Sequence, residues 1–151
     1  TQVLSSAASD VYKRQVNTSN DHVFVVKERR PGLLIELDPS LTTILSTRVL
    51  QASQGFTHPK LKADKLDFSG LSFDSRNDTL WIASDKGQCL FQYDWTRDAV
   101  LQRLDLTINT GNKDKLIRKA EGVAFDPQRK RMYVVSDRDA DLYVYKVHDD
   151  S

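Results

Sequence analysis

A 26-residue pattern occurs twice in this chain, as SGLSFDSRNDTLWIASDKGQCLFQYD at residues 69–94 and as EGVAFDPQRKRMYVVSDRDADLYVYK at residues 121–146. The two stretches align without a gap at an offset of 52 residues, and seven of the 26 positions are identical. The identical pairs are Gly70/Gly122, Phe73/Phe125, Asp74/Asp126, Ser84/Ser136, Asp85/Asp137, Leu90/Leu142 and Tyr93/Tyr145. A weaker third copy begins at His22, so the copies recur every 52 to 57 residues. Repetition in register indicates a fold built from equivalent units.

Each copy consists of short apolar runs separated by polar turns. In the second copy the runs lie at residues 70–73, 79–84 and 90–94, and a fourth follows at 100–106. The first copy has a comparable run in that place, at residues 43–50. A meander of four strands that recurs about every 40 to 55 residues is typical of β-propeller blades. The strands of a β-sandwich are not expected to repeat in register. We therefore predict an all-β chain, a β-propeller fragment of about three four-stranded blades.

The first fifteen residues are expected to be foreign to this fold. Residues 5–15 read SSAASDVYKRQ, which is the translation of a DNA string that resembles a transposase sequencing adapter. We predict that residues 1–15 are a sequencing-adapter artefact and that the natural beginning of the protein is missing; the alternative is a natural polar N-terminal helix. The remaining residues, 16–151, are predicted to form a partial β-propeller domain with blades at approximately 16–51, 67–107 and 119–147.

Two longer polar connections interrupt the copies, at residues 52–66 and 109–119. Both are rich in lysine and are predicted to be surface loops, each preceding the innermost strand of the next blade. The last copy stops near Val147 before any fourth run is written. The third blade is therefore expected to have an unpaired edge.

Composition excludes several classes of protein. Lysine and arginine total 22 against 21 acidic residues, a net charge of +1, which argues against a strongly basic nucleic-acid-binding protein. No run approaches the 18 or so apolar residues of a membrane span. The single cysteine, Cys89, excludes an internal disulfide and a multi-cysteine zinc site, and is predicted to be a small buried apolar residue. The three histidines, His22, His58 and His148, are far apart and suggest no zinc site.

A serine-aspartate pair ends the same run in two copies, as Ser84-Asp85 and as Ser136-Asp137. Recurrence in register predicts a structural role, such as hydrogen bonds that close the following turn, and not catalysis. The stretch from Asp137 to Asp141 imitates the first half of an EF-hand loop, but leucine stands where that loop requires glycine and His148 where it requires glutamate. A turn between two strands is the better interpretation of this stretch.

With the repeats aligned, the chain resembles the C-terminal part of the SdiA-regulated family over residues 21–147. The motifs that carry the resemblance are Asp67-Phe68-Ser69-Gly70-Leu71, Asp78-Thr79-Leu80-Trp81-Ile82, Lys119-Ala120-Glu121-Gly122-Val123-Ala124 and Met132-Tyr133-Val134-Val135-Ser136-Asp137. Related propellers, with phytase-like esterase or NHL-type repeats, share the Glu-Gly-Val-Ala motif. The resemblance implies a five-bladed propeller of the periplasm or cell envelope, N-terminally anchored in the full-length protein, with a bound Ca²⁺ and no established reaction.

Two carboxylates are the predicted metal ligands. Glu121 directly precedes Gly122 at the start of an inner strand, where propeller side chains line the mouth of the central channel. Ca²⁺ takes six to eight oxygen ligands, roughly, and carbonyls of residues 109–119 could add to that carboxylate. Asp67 lies two residues before Ser69, the position of the preceding blade that aligns with Glu121. The structural alternatives are a solvated or arginine-paired Glu121 and an Asp67 that caps a turn.

Three functions remain open at this stage. The leading hypothesis is a Ca²⁺-stabilised binding platform at the cell envelope, which takes an unknown protein or small-molecule ligand at the channel mouth. A metal-dependent hydrolase of the phytase-like esterase kind would need further acidic residues on adjacent inner strands, where the position aligned with Glu121 is Ser69. A protein-interaction propeller would be indifferent to metal. Whether the protein is an enzyme is left open, with a non-catalytic role favoured.

Overall fold

The computed structural model describes residues 12–111 and 113–148, and these residues fold into antiparallel β-sheets joined by turns. The strands of the first sheet are β1 (Tyr12–Val16), β2 (Val23–Lys27), β3 (Leu33–Leu37) and β4 (Ile44–Val49). Those of the second are β5 (Gly70–Asp74), β6 (Thr79–Ser84), β7 (Cys89–Asp94) and β8 (Ala99–Asp105). A short hairpin follows, β9 (Thr107–Asn109) with β10 (Asp114–Leu116), and then the third sheet, β11 (Ala120–Asp126), β12 (Arg131–Ser136) and β13 (Asp141–Lys146).

Each sheet is a simple meander in which consecutive strands pair. The orders are β1-β2-β3-β4, β5-β6-β7-β8 and β11-β12-β13. The innermost strand of the second sheet, β5, contacts β1 on one side and β11 on the other. These repeated meanders around a common set of inner strands confirm the predicted all-β propeller fragment, and each sheet is one blade.

The alternation of side chains between the two faces of a sheet explains why consecutive residues of these runs are apolar. In β6, Leu80 and Ile82 enter the core between the first and second blades, whereas Trp81 and Ala83 enter the core between the second and third. Successive side chains of a strand point to opposite faces, so every residue of β6 is buried because both faces of its sheet are covered. In β12, by contrast, Val134 is buried and its neighbour Val135 is 48% exposed.

The third blade has three strands among the described residues, as the sequence predicted. β13 pairs with β12 and with no other described strand. Its side chains alternate between the second blade and solvent, and Leu142 and Val144 are exposed. The unpaired edge is confirmed for the described part of the chain.

Two boundaries differ from the predicted ones. The connection predicted as a loop at 109–119 contains the β9–β10 hairpin, which is closed by hydrogen bonds from Thr110 N to the Lys113 carbonyl and from Gly111 N to Asn109 Oδ1. β10 is exposed throughout, whereas Ile108 of β9 packs against the core between the second and third blades, so turn hydrogen bonds and one apolar contact together hold the hairpin. The segment set aside at the N-terminus overlaps the fold, because β1 begins at Tyr12; residues 1–11 lie outside the described residues.

The other connection, residues 52–66, carries two single turns of 3-10 helix, Ala52–Gln54 and Ala63–Lys65. Between them Phe56 is fully buried and contacts the rings of Phe68, Phe91 and Tyr93. The connection therefore contributes to the core of the first two blades as well as to the surface. No helix in the described residues has the length and apolarity needed to cross a membrane.

Candidate functional site

Three blades each place a carboxylate at the same end of the inner strands. Glu121 is the second residue of β11, Asp67 lies three residues before β5, and Glu28 follows β2, whose last residue pairs with the first residue of β1. Ser69 Oγ donates to the Ala120 carbonyl and Phe125 N donates to Ser72 Oγ, so β5 and β11 run in the same direction. We call the surface formed by Glu28, Asp67 and Glu121 the acidic end.

Asp67 is buried and caps a turn. Its Oδ1 accepts hydrogen bonds from Ser84 Oγ and from the backbone N–H of Lys86, both at 2.9 Å. Ser84 Oγ in turn accepts from Gly87 N at 3.0 Å, which closes the turn between β6 and β7. The structural alternative for Asp67, a turn cap, is therefore realised for this oxygen, whichever further role the residue has.

The serine of the third blade works in the same way with a different partner. Ser136 Oγ accepts from Asp139 N at 3.1 Å and donates to the Arg118 carbonyl at 2.7 Å. A backbone carbonyl thus stands where the second blade uses the Asp67 carboxylate. These bonds confirm that the recurring serines close turns, and residues 137–140 form the predicted turn between two strands.

Of the two carboxylates that the sequence singled out, Glu121 is more accessible than Asp67. The register of β11 against β12 shifts between Ala120 and Gly122, so Glu121 is the extra residue of a β-bulge. A bulge changes the direction of a side chain, and this one leaves 32% of the Glu121 side chain exposed. Lys13 Nζ lies 3.8 Å from Glu121 Oε2, but Lys13 belongs to the segment that sequence analysis set aside.

Glu28 was missed by sequence analysis as a site residue. Burial raises the pKa of the Glu28 carboxyl above its ordinary value, and the negative charges of Glu121 and Asp67 raise it further. These electrostatic effects show that the three carboxylates share one region. A signal was present in the sequence, because Glu28 occupies the repeat position of Asp85 and Asp137, but that position had been interpreted as part of a turn.

The acidic end is suited to cations and lacks a complete metal centre of its own. Across residues 12–111 and 113–148, no group of three or more histidine, cysteine, aspartate or glutamate side chains is arranged to hold a metal ion. The structure brings Glu121, Asp67 and Glu28 to one end of the inner strands without enclosing a single ion between them. A positive charge near the acidic end would relieve the electrostatic repulsion between these carboxylates.

The fold is similar to that of solved β-propellers at low sequence identity. A chain of a nidogen/laminin complex matches with a TM-score of 0.57 and 14% identity, over 89% of this chain and 43% of that one. The RRP9 WD40 repeats match with a TM-score of 0.56 and 13% identity, over 89% and 34%. The extracellular domain of the putative one component system BT4673 from B. thetaiotaomicron matches with a TM-score of 0.53 and 15% identity, over 93% and 16%. The chain spans less than half the length of each of these structures.

The sequence comparisons point to one family. No curated protein matches the chain. The family model described as SdiA-regulated matches residues 15–146, which is most of the chain and covers the three blades except for the first three residues of β1. The match begins at the last residue of the segment that sequence analysis set aside. The chain therefore belongs to the SdiA-regulated family.

Proposed function

We propose that this chain forms part of a Ca²⁺-binding β-propeller platform of the cell envelope, with the acidic end as the surface that meets the ion. The observation that carries the proposal is the convergence of Glu28, Asp67 and Glu121, each from a different blade, at one end of the inner strands. The negative charges of Glu121 and Asp67 help to raise the pKa of the Glu28 carboxyl, and a divalent cation would relieve that repulsion. Ca²⁺ suits the site because it accepts irregular sets of oxygen ligands.

The three carboxylates would contribute unequally. Glu121 is partly exposed and lies on a β-bulge, so it is the direct ligand in this proposal. Asp67 already uses Oδ1 for Ser84 and Lys86, which leaves its charge and its second oxygen for the ion. Glu28 adds negative charge beside both. Backbone carbonyls and water would complete the coordination sphere, as is usual for Ca²⁺.

Calorimetric titration with CaCl2 tests the metal. We expect the chain to bind Ca²⁺ and Glu121→Gln, which keeps the size of the side chain, to lose that binding. Asp114→Asn is the matched control, because Asp114 is an exposed residue of the β9–β10 hairpin and is not one of the three carboxylates of the acidic end, so its replacement should leave the heats unchanged. Equal binding by wild type and Glu121→Gln, or no binding at all, would refute the metal part of the proposal.

A metal-dependent hydrolase is the second candidate. A hydrolase would need further acidic residues beside Glu121, and the aligned inner-strand position offers only Ser69. Glu28 and Asp67, at neighbouring positions, would provide those carboxylates. Such an enzyme would use the ion to activate water against a phosphate or acyl ester. Turnover of phosphate monoesters or acyl esters that requires Ca²⁺ and disappears in Glu121→Gln would favour the enzyme, and Ca²⁺ binding without turnover favours the platform.

The envelope location is the remaining part of the proposal, and it rests on the resemblance to SdiA-regulated proteins. Fractionation of the full-length protein checks it. We expect the protein in the membrane or periplasmic fraction, and recovery of the full-length protein with the cytoplasmic fraction would contradict this location.

A further inference from the structure

A pocket opens between the first blade and the connection that leads into the second. Its volume is about 670 Å³, within the range of roughly 300 to 1,000 Å³ that is typical of small-molecule sites. The turn between β2 and β3, the end of β4 and the connection all contribute to its lining. Most of the lining is apolar and includes Pro31, Val49, Leu50, Leu66 and Phe68.

The corresponding turn of the second blade is joined to its connection by a side chain. Gln88, which directly precedes β7, donates through Nε2 to the Ile117 carbonyl at 3.1 Å. Gly32 directly precedes β3 in the first blade and cannot make such a bond. The ring of Phe68 takes the place of a side chain here, because a Cβ added to Gly32 would lie 2.2 Å from Phe68 Cε2. The pocket therefore has an aromatic wall against bare backbone.

One exposed ion pair joins the turn to the connection in the first blade. Arg30 Nη1 lies 3.4 Å from Asp64 Oδ2, and the two side chains are 48% and 61% exposed. Such a pair contributes little to stability, because water screens both charges. A guanidinium presents a fork of N–H donors that matches a carboxylate, and the contact with Asp64 uses a single Nη. Arg30 can therefore exchange this partner for another anion at small cost.

Positive charge exceeds negative charge in the segments that line the pocket. Arg29 and Arg30 lie in the turn, and Lys62 and Lys65 lie on either side of Asp64 in the connection. All five side chains are exposed, and Asp64 is the only acidic residue of 29–32, 49–53 and 62–66. Charge complementarity therefore favours a ligand whose polar group is an anion.

We infer that this pocket binds a small amphipathic carboxylate, with an apolar body against Leu66 and Phe68 and the carboxylate on Arg30. The body would also cover Val49, which is 45% exposed, and the removal of apolar surface from water supplies affinity. Two parallel hydrogen bonds from the guanidinium would orient the carboxylate, in place of the single contact with Asp64. This binding needs no metal ion and is independent of the acidic end.

Octanoate is the probe, titrated into the nitrogen-15-labelled chain below the concentration at which it forms micelles. Amide chemical shifts report where it binds. We expect saturable shifts at Gly32 and Ala63, which line the pocket, and none at Gly111 or Gly122, which do not. 1-Octanol, which has the same hydrocarbon body without the charge, should bind about tenfold more weakly. Octylammonium, which has the opposite charge, should bind more weakly still.

Two substitutions separate the carboxylate contact from the apolar one. Arg30→Gln should weaken octanoate binding about tenfold and leave 1-octanol binding unchanged. Arg97→Gln is the matched control, because Arg97 is also an exposed arginine beside an aspartate, with its Nε 3.5 Å from Asp94 Oδ2, and does not line the pocket. Ala63→Phe adds a ring to the lining and should abolish binding of both ligands, while unchanged Gly111 and Gly122 amides show that the chain remains folded.

Several outcomes would overturn the inference. The absence of saturable shifts at Gly32 with millimolar octanoate would do so, as would shifts centred on Val135, Leu142 and Val144, since those exposed residues lie in the third blade. Equal binding of octanoate and 1-octanol, or tighter binding of octylammonium, would show that the pocket does not select a carboxylate. Unchanged octanoate affinity in Arg30→Gln would show that Arg30 does not hold the anion.

Discussion

At the scale of single residues, the Ser84 hydroxyl connects the Asp67 carboxylate to the turn between β6 and β7. Ser84 is fully buried, and its Oγ both donates to Asp67 Oδ1 and accepts from Gly87 N. Replacing the serine by alanine would leave a buried carboxylate oxygen short of a donor and a turn N–H short of an acceptor. Removing one partner of a buried polar group costs more than the bond contributes.

We predict that Ser84→Ala lowers the free energy of unfolding by about 1 to 3 kcal/mol. Urea denaturation, monitored by tryptophan fluorescence, measures this change in the free energy of unfolding. Ser75→Ala is the control, since Ser75 is exposed in the turn between β5 and β6 and should change stability by less than about 0.5 kcal/mol. Equal effects of the two substitutions would show that the Ser84 hydroxyl has no special role in the turn.

The Glu28 carboxyl gives a prediction for pH. Its pKa in the folded chain lies above the ordinary value of 4.5, mainly because of burial and then because of Glu121 and Asp67. The folded state therefore binds a proton more tightly than the unfolded state does. The stabilising effect of that proton is complete below the unfolded pKa and is lost as the pH rises through the folded one.

We predict that Glu28→Gln, which stays uncharged, is more stable than wild type at neutral pH and equal to it below pH 4.5. Urea denaturation across this pH range, at low salt and without Ca²⁺, measures the difference. Asp114→Asn should show no such pH-dependent gain, because Asp114 is exposed. A gain of the same size at both ends of the range would mean that charge repulsion at the acidic end is not its cause.

At the scale of strands, the pattern of burial separates the second blade from the third. All residues of β5, β6 and β7 are buried, whereas β12 alternates between buried and more exposed positions. Val134 and Val135 are consecutive, chemically identical and on opposite faces of β12, with exposures of 0% and 48%. They report directly on which face of the third blade is covered.

We predict that Val134→Ala lowers the free energy of unfolding by about 2 kcal/mol, from lost burial and the cavity left behind, and that Val135→Ala changes it by less than about 0.5 kcal/mol. Thermal or urea denaturation of both variants measures the two losses of stability. Comparable losses would mean that the outer face of the third blade is covered in solution.

The strands were largely predictable because each repeat supports the interpretation of the others. The run at residues 79–84 coincides with β6, and the missing fourth strand of the third blade followed from the end of the last copy. The β9–β10 hairpin was missed because most of its residues are polar and turn hydrogen bonds leave no hydrophobic pattern in the sequence. The turn that Asp67 caps could not be identified from the sequence, because its partner Ser84 lies 17 residues away and meets it only after β5 and β6 pair.

At the scale of the whole molecule, the packing of blade against blade constrains small residues on the inner strands. Gly70 and Gly122 are identical positions of the repeat but have different surroundings. A Cβ added to Gly70 would lie 3.1 Å from Ala83 Cβ and from Val123 Cγ1, and 3.3 Å from Val123 N. A Cβ added to Gly122 meets only Val135 Cβ, at 3.9 Å. The difference arises because the third blade packs on Gly70, while no described blade packs on Gly122.

We predict that Gly70→Ala lowers the free energy of unfolding by about 1 to 3 kcal/mol, since the backbone of Val123 has to move, and that Gly122→Ala leaves it unchanged or raises it by up to about 1 kcal/mol. Urea denaturation of the two variants measures this difference in the chain as printed. In a longer form of the protein that packs a further blade on the third, the two substitutions should become equally destabilising, because the surroundings of Gly122 would then match those of Gly70. A destabilising Gly122→Ala in the 151-residue chain would instead show that this inner strand is already covered, by another copy or by residues outside the described part.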